Sequence, residues 1–286
     1  MLARTRRGWR GGPRVLVAGA TALAAVIALA DPVAAAPAAG LDRARTLPVV
    51  TTRATAGQPV TYRVFATREG LVGGTTANGH VIRDRDHFVA LPSRRGLSTR
   101  DGGERTVRVC AQSGRCAFAP VWDVGPWNTT DDYWNAVRQG ATGLPRGLAA
   151  AQAAYQDGYR GRRDEAGRTV ANPAGIDLAD GTFWDALRLT DNAWVLVTYL
   201  WTGSGASGRV RTGGMPLNLR AAPRSTAAPV GMAAEHAEIP IECQVRGPSV
   251  AGAVRTTDLW DRVAPGTYVS HAYLVVPVGF RAPACA

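Results

Sequence analysis

The sequence predicts a mainly β chain with a helical insertion, organised as two units. Three observations predict it. Val60, Tyr62 and Val64 alternate with Thr61, Arg63 and Phe65, the period of a half-buried strand. Residues 107–110 and 116–124 are strand-like runs separated by a Gly-containing turn. Residues 194–201 are an unbroken run of apolar, β-branched and aromatic side chains, as in a buried strand.

The composition agrees with a folded chain. Of 286 residues, 46% are hydrophobic and 19% charged, which excludes a disordered or collagen-like protein. At about 150 residues per domain, this length suggests one or two domains. The net charge is +11, and with no lysine in the chain every one of the 33 basic residues is arginine. Such a skew follows from a GC-rich genome and carries no functional meaning.

Residues 1–38 read as a secretory signal peptide. Residues 1–14 hold five arginines and no acid, and residues 15–30 are a short run of apolar, small and threonine residues. Ala36 and Ala38 then supply the small residues of a cleavage site. The run falls short of the ~20 residues that span a bilayer, so no membrane span is expected after cleavage. Removing 5 of the 33 basic and 1 of the 22 acidic residues leaves +7, a charge suited to anionic wall polymers. No long basic run with interleaved aromatics is present, which argues against nucleic acid.

Residues 39–59 are a polar lead-in, and residues 60–201 form the main unit. Its insertion, residues 129–171, changes character: Asp131-Asp132-Tyr133-Trp134 can open a short helix, and residues 148–155 are alanine-rich and helical. A further short helix is expected over residues 177–189. Residues 202–209 are Gly/Ser-rich and read as a flexible linker. Residues 210–286, with many turns and strands expected at 217–219, 239–241 and 268–276, fit a small β-barrel.

The four cysteines allow three pairings. Cys110 and Cys116 sit at facing ends of the predicted hairpin, close enough to bond, which leaves Cys243 with Cys285. No C-x-x-C or H-E-x-x-H occurs and the four histidines are dispersed, so neither a metal nor another cofactor is expected.

Four separated segments carry a resemblance: Thr76-Ala77-Asn78-Gly79, Ala90-Leu91-Pro92, Asp123-Val124-Gly125-Pro126 and Ile176-Asp177-Leu178-Ala179. In this order they resemble the six-stranded double-psi β-barrel of the rare-lipoprotein-A type, to which expansins and membrane-bound lytic transglycosylase A are related. Leu217-Asn218-Leu219-Arg220-Ala221-Ala222-Pro223 resembles the opening of a bacterial SH3-like domain. The resemblance implies a secreted protein that binds, and in its enzymatic version cleaves, peptidoglycan or another wall polysaccharide. In the related lytic transglycosylases one aspartate is acid and then base. Here that role falls on Asp123, with Asp177 as second carboxylate.

Trp122, Trp127, Tyr133, Trp134 and His87 are the candidate glycan contacts. The family's histidine position is Phe88 here, one residue from His87, and in a strand that shift turns a side chain to the opposite face. The alternative reading is a non-catalytic, expansin-like or partner-binding secreted module, with Asp123 accepting backbone N–H bonds and Asp177 capping a helix.

Overall fold

The computed structural model describes residues 57–286. The expected signal peptide and all but the end of the lead-in lie outside the described residues. The main unit holds six strands: β1 (Thr61–Glu69), β2 (Val89–Leu91), β3 (Thr106–Cys110), β4 (Cys116–Val124), β5 (Ala174–Ala179) and β6 (Ala193–Tyr199). Their order is β4-β2-β5-β1-β6-β3, and β3 pairs back with β4. The sheet therefore closes into a barrel with no free edge. It is a mixed barrel, since β1–β5 and β2–β4 run parallel and the remaining pairs antiparallel.

The closed sheet follows from the side chains. Tyr62, Val64, Val89, Leu91, Val107, Val109, Val121, Ile176, Leu178, Val195 and Val197 are buried in one cluster. Tyr133 and Trp134 from the insertion join it, with Trp134 stacked on Tyr199 at 5.1 Å between ring centres. The Tyr199 hydroxyl donates to that of Tyr133 (2.6 Å), which donates to Gly175 O (2.9 Å). Burying one such ring contributes roughly 2–3 kcal/mol, and the paired hydroxyls remove the cost of enclosing polar atoms.

The insertion contains one two-turn helix, α1 (Ala150–Asp157), which ends at Gly158 in the left-handed region at φ 74°. The helix expected at 131–134 is absent. The two acids serve other partners: Asp131 is ion-paired with Arg138 and accepts from Ala150 N at the start of α1 (2.6 Å). Asp132 accepts from Gln139 N (2.6 Å) and Asn135 Nδ2 (2.8 Å). The helix expected from residue 177 is corrected likewise. Asp177 lies within β5, and only the turn Gly181–Ala186 is helical.

Residues 202–209 are not wholly irregular. Ser207, Gly208 and Arg209 belong to β7 (Ser207–Val210), so the stretch read as a flexible linker is anchored at its far end. Then follow β8 (Leu217–Arg220), β9 (Pro229–Ala233), β10 (Glu238–Pro240), β11 (Cys243–Ala251), β12 (Thr256–Ala264), β13 (Thr267–Ser270) and β14 (Leu274–Val275). β10, β7 and β14 form a small separate sheet. β9 pairs in parallel with β4 and leads the other sheet on through β8, β13, β12 and β11. Phe118 of β4 enters a second core with Val210, Leu219, Ile239, Val263, Val269 and Leu274. Disulfides join Cys110 to Cys116 and Cys243 to Cys285. No helix among the described residues is long and apolar enough to cross a membrane.

Candidate functional site

Four barrel strands bring one row of residues together. Thr67 on β1 pairs with Asp177 on β5, Asp177 with Ala90 on β2, and Ala90 with Asp123 on β4. Directly paired residues project from the same face, so the two aspartates stand on one side of the sheet. Only the methyl group of Ala90 separates them in the row. Glu69 lies two positions beyond Thr67 and faces the same way.

Backbone amides position Asp123. Its Oδ1 accepts from Ala77 N and from Val124 N, both at 2.8 Å. The turn that supplies Ala77 is held by Gly79 N donating to Thr76 O (2.9 Å), with Gly79 at φ 91°. Asn78 N donates to Trp122 O (3.2 Å), which docks the turn on β4. Thr67 donates its hydroxyl to Asp177 Oδ1. Gly125 lies beside the other oxygen: a Cβ there would sit 3.5 Å from Asp177 Oδ2.

Glu69 and Asp177 hold protons unusually well. Burial pushes the Asp177 carboxyl up to about 6, opposed by the Thr67 hydrogen bond and helped by the Asp123 charge. Glu69 is pushed up to about 9, first by burial, then by its hydrogen bond with Asp123, then by the charges of Asp123, Asp177 and Asp180. Its Oε2 is buried with no donor in reach. Two ionised carboxylates cannot hydrogen-bond, so the contact requires a proton, and Glu69 carries it at neutral pH. Asp180 is held apart by Arg68, whose Nη1 is 2.6 Å from Asp180 Oδ1. The arrangement is a proton store beside a carboxylate, suited to general acid and base work.

Glu69 and Thr67 are site residues that sequence reading missed. The register shift between Phe65 and Ala66 places its extra residue, Gly175, on β5, so the alternation of β1 runs unbroken. Tyr62, Val64 and Ala66 face the barrel core, while Thr67 and Glu69 lie on the opposite, odd-numbered face and are nonetheless buried. Regular alternation assigns that face to solvent and gives no sign that it is covered.

The aromatic candidates separate into two groups. Tyr133 and Trp134 are both 0% exposed, so neither can stack on a sugar, which corrects that expectation. Both large rings have gone to the barrel core, the commoner place for such side chains. Trp122 is also buried, against Ile82, Phe88 and Ala179, with its Nε1 donating to Gly102 O (2.9 Å). Trp127 alone keeps part of its ring exposed, with its Nε1 donating to Asn172 Oδ1 (3.0 Å). His87 stands apart from the carboxyls. Its charged neighbours are Asp185, Asp86 and Arg85, and burial lowers its ring to about 4, which leaves it neutral. Among the described residues no group of three His, Cys, Asp or Glu is placed to hold a metal ion.

A family model described as a domain of unknown function (DUF8814) matches residues 60–198. The match begins just before β1 and ends within β6, so it takes in all six barrel strands, the insertion and the carboxyl row, and stops short of β7–β14. No curated protein and no solved structure matches the chain.

Proposed function

We propose that this is a secreted, wall-associated protein that binds peptidoglycan glycan strands and cleaves them at the Glu69–Asp123–Asp177 row. The observation that carries the reading is the gathering of Glu69, Asp123 and Asp177 on one face of the barrel, where burial raises the carboxyls of Glu69 and Asp177. The mixed six-strand barrel is compatible with the double-psi fold of the rare-lipoprotein-A type, with the C-terminal strands as an SH3-like tether. Two disulfides favour an oxidising compartment.

In this reading Glu69 passes its proton to Asp123, which is more exposed and gives it to the glycosidic oxygen as the bond to the leaving sugar breaks. The 6-hydroxyl of the remaining sugar attacks its own anomeric carbon. The hydroxyl proton returns to the carboxylate, so a 1,6-anhydro ring forms without water. Asp123 hands that proton back to Glu69, which restores the starting state, and Asp177 faces the developing positive charge. Trp127 is the ring available for stacking.

A second reading rests on one observation. Two backbone amides already occupy Asp123 Oδ1, which suits a residue that shapes the Thr76–Gly79 turn in a non-catalytic, expansin-like module. Digestion of purified sacculi, with mass spectrometry of the soluble products, decides between them. Anhydro-muropeptides from the wild type and none from Asp123→Asn support cleavage. Retention on sacculi without such products supports the expansin-like module. Neither products nor retention contradicts both.

A further inference from the structure

A second polar cluster lies far along the chain from the carboxyl row, on β11, β12 and the segments after them. Asp261 of β12 is fully enclosed, with Oδ2 2.8 Å from His271 Nδ1 and Oδ1 accepting from Gln244 Nε2 (2.9 Å). Across the ring, His271 Nε2 stands 3.0 Å from Arg255 Nη1. Arginine can only donate, so Nε2 accepts and the Nδ1–H points at Asp261. Arg255 Nη2 donates to Leu274 O (3.1 Å). The Asp261–His271 pair thus holds one guanidinium in a fixed pose, with three of its five N–H groups unspent.

That guanidinium lines a cavity of about 550 Å³, together with His271, Leu259, Val276, Phe280 and Arg281. Among the described residues Arg281 has no hydrogen-bond or ion-pair partner. The acids nearby in the chain are engaged: Asp258 pairs with Arg246, and Glu242 with Arg262. The wall formed by residues 276–282 is fixed at both ends. β14 pairs with β7 on one side. On the other, Cys285 is bonded to Cys243, Gln244 N donates to Pro283 O (2.8 Å) and Cys285 N to Gln244 O (2.9 Å).

We propose that this cavity binds a small carboxylate ligand with an apolar body, such as the carboxyl end of an acylated amino acid or short peptide. The charge count selects the head group. Arg255 and Arg281 line the cavity and Asp261 is the one carboxylate built into the cluster, so a single further negative charge balances the site. Both guanidiniums offer the planar fork that fits a carboxylate, while Leu259, Val276 and Phe280 receive the apolar part.

Titration of the full chain followed by NMR or calorimetry tests this, using N-acetyl-leucine, its neutral amide and inorganic phosphate as probes. N-acetyl-leucine should bind saturably, and the amide at least about tenfold more weakly, the equivalent of one lost charge-assisted hydrogen bond. Arg281→Gln, an exposed change that leaves the fold intact, should weaken N-acetyl-leucine by a similar factor. Cys285→Ser should also weaken it by freeing the wall. No saturation below about 10 mM, equal binding of the amide, or tighter binding of phosphate would overturn the proposal.

Discussion

Asp123 and Asp177 pair with the same residue, Ala90, from opposite sides, so two carboxyls fifty-four positions apart in sequence flank one methyl group on one face of a closed barrel. Glu69 completes the group from the neighbouring strand and supplies a proton that neither aspartate needs to hold alone.

Asp123→Asn should leave the fold intact. The amide oxygen can accept from Ala77 N and Val124 N as the carboxylate does. Thermal unfolding should therefore shift by less than about 1 kcal/mol equivalent. Release of anhydro-muropeptides should fall by about 10²-fold or more, carried by kcat with KM little changed.

Glu69→Gln should change how stability depends on pH. The folded carboxyl titrates near 9 against an ordinary 4.5. Below the ordinary value both folded and unfolded chains are protonated, and the contribution is fully present. As pH rises toward 9 the unfolded chain releases its proton while the folded one keeps it. Stability is then lost at up to about 1.4 kcal/mol per pH unit. Urea denaturation at pH 5 and pH 8.5 should show this loss in the wild type and a flatter profile in the variant. Equal slopes would mean that Glu69 is not enclosed as described.

Trp134→Ala and Trp127→Ala should fail differently. Emptying the Trp134 site costs about 3–5 kcal/mol, because the ring packs on Tyr199 with no solvent contact. Trp127 is partly exposed, so its loss should cost far less stability while weakening retention on sacculi. Paired denaturation and pull-down measurements separate the two.

Gly231→Ala should part the C-terminal strands from the barrel. Gly231 pairs with Cys116 in the β4–β9 ladder, and an added Cβ would lie 1.8 Å from Cys116 O. Backbone cannot yield by that much, so the pairing must break. Amide exchange should rise in β9 and β8 while the β1–β5 and β1–β6 ladders stay protected.

Much of the fold was legible because it is written in local patterns. The alternation at residues 60–65, the hairpin around Cys110 and Cys116 and the apolar run of β6 each mark a strand. Asp123 and Asp177 were legible through the motifs around them. Other features depend on contacts made only in three dimensions. Asp131 left its predicted helix because Arg138 and the start of α1 compete for its oxygens. Trp134 reads equally well as a sugar platform or a core ring until Tyr199 is seen beneath it. Glu69 escaped notice because it lies on the face of β1 opposite the barrel core, which alternation alone assigns to solvent, and it is buried there.

The account rests most directly on the proton held by Glu69. Carboxyl ¹³C NMR titration of the glutamate-labelled chain, assigned with Glu69→Gln, measures it without reference to any substrate. A Glu69 midpoint close to 9 that drops in Asp123→Asn is the result the account predicts. A midpoint in the ordinary carboxylate range, unmoved by that substitution, would contradict it.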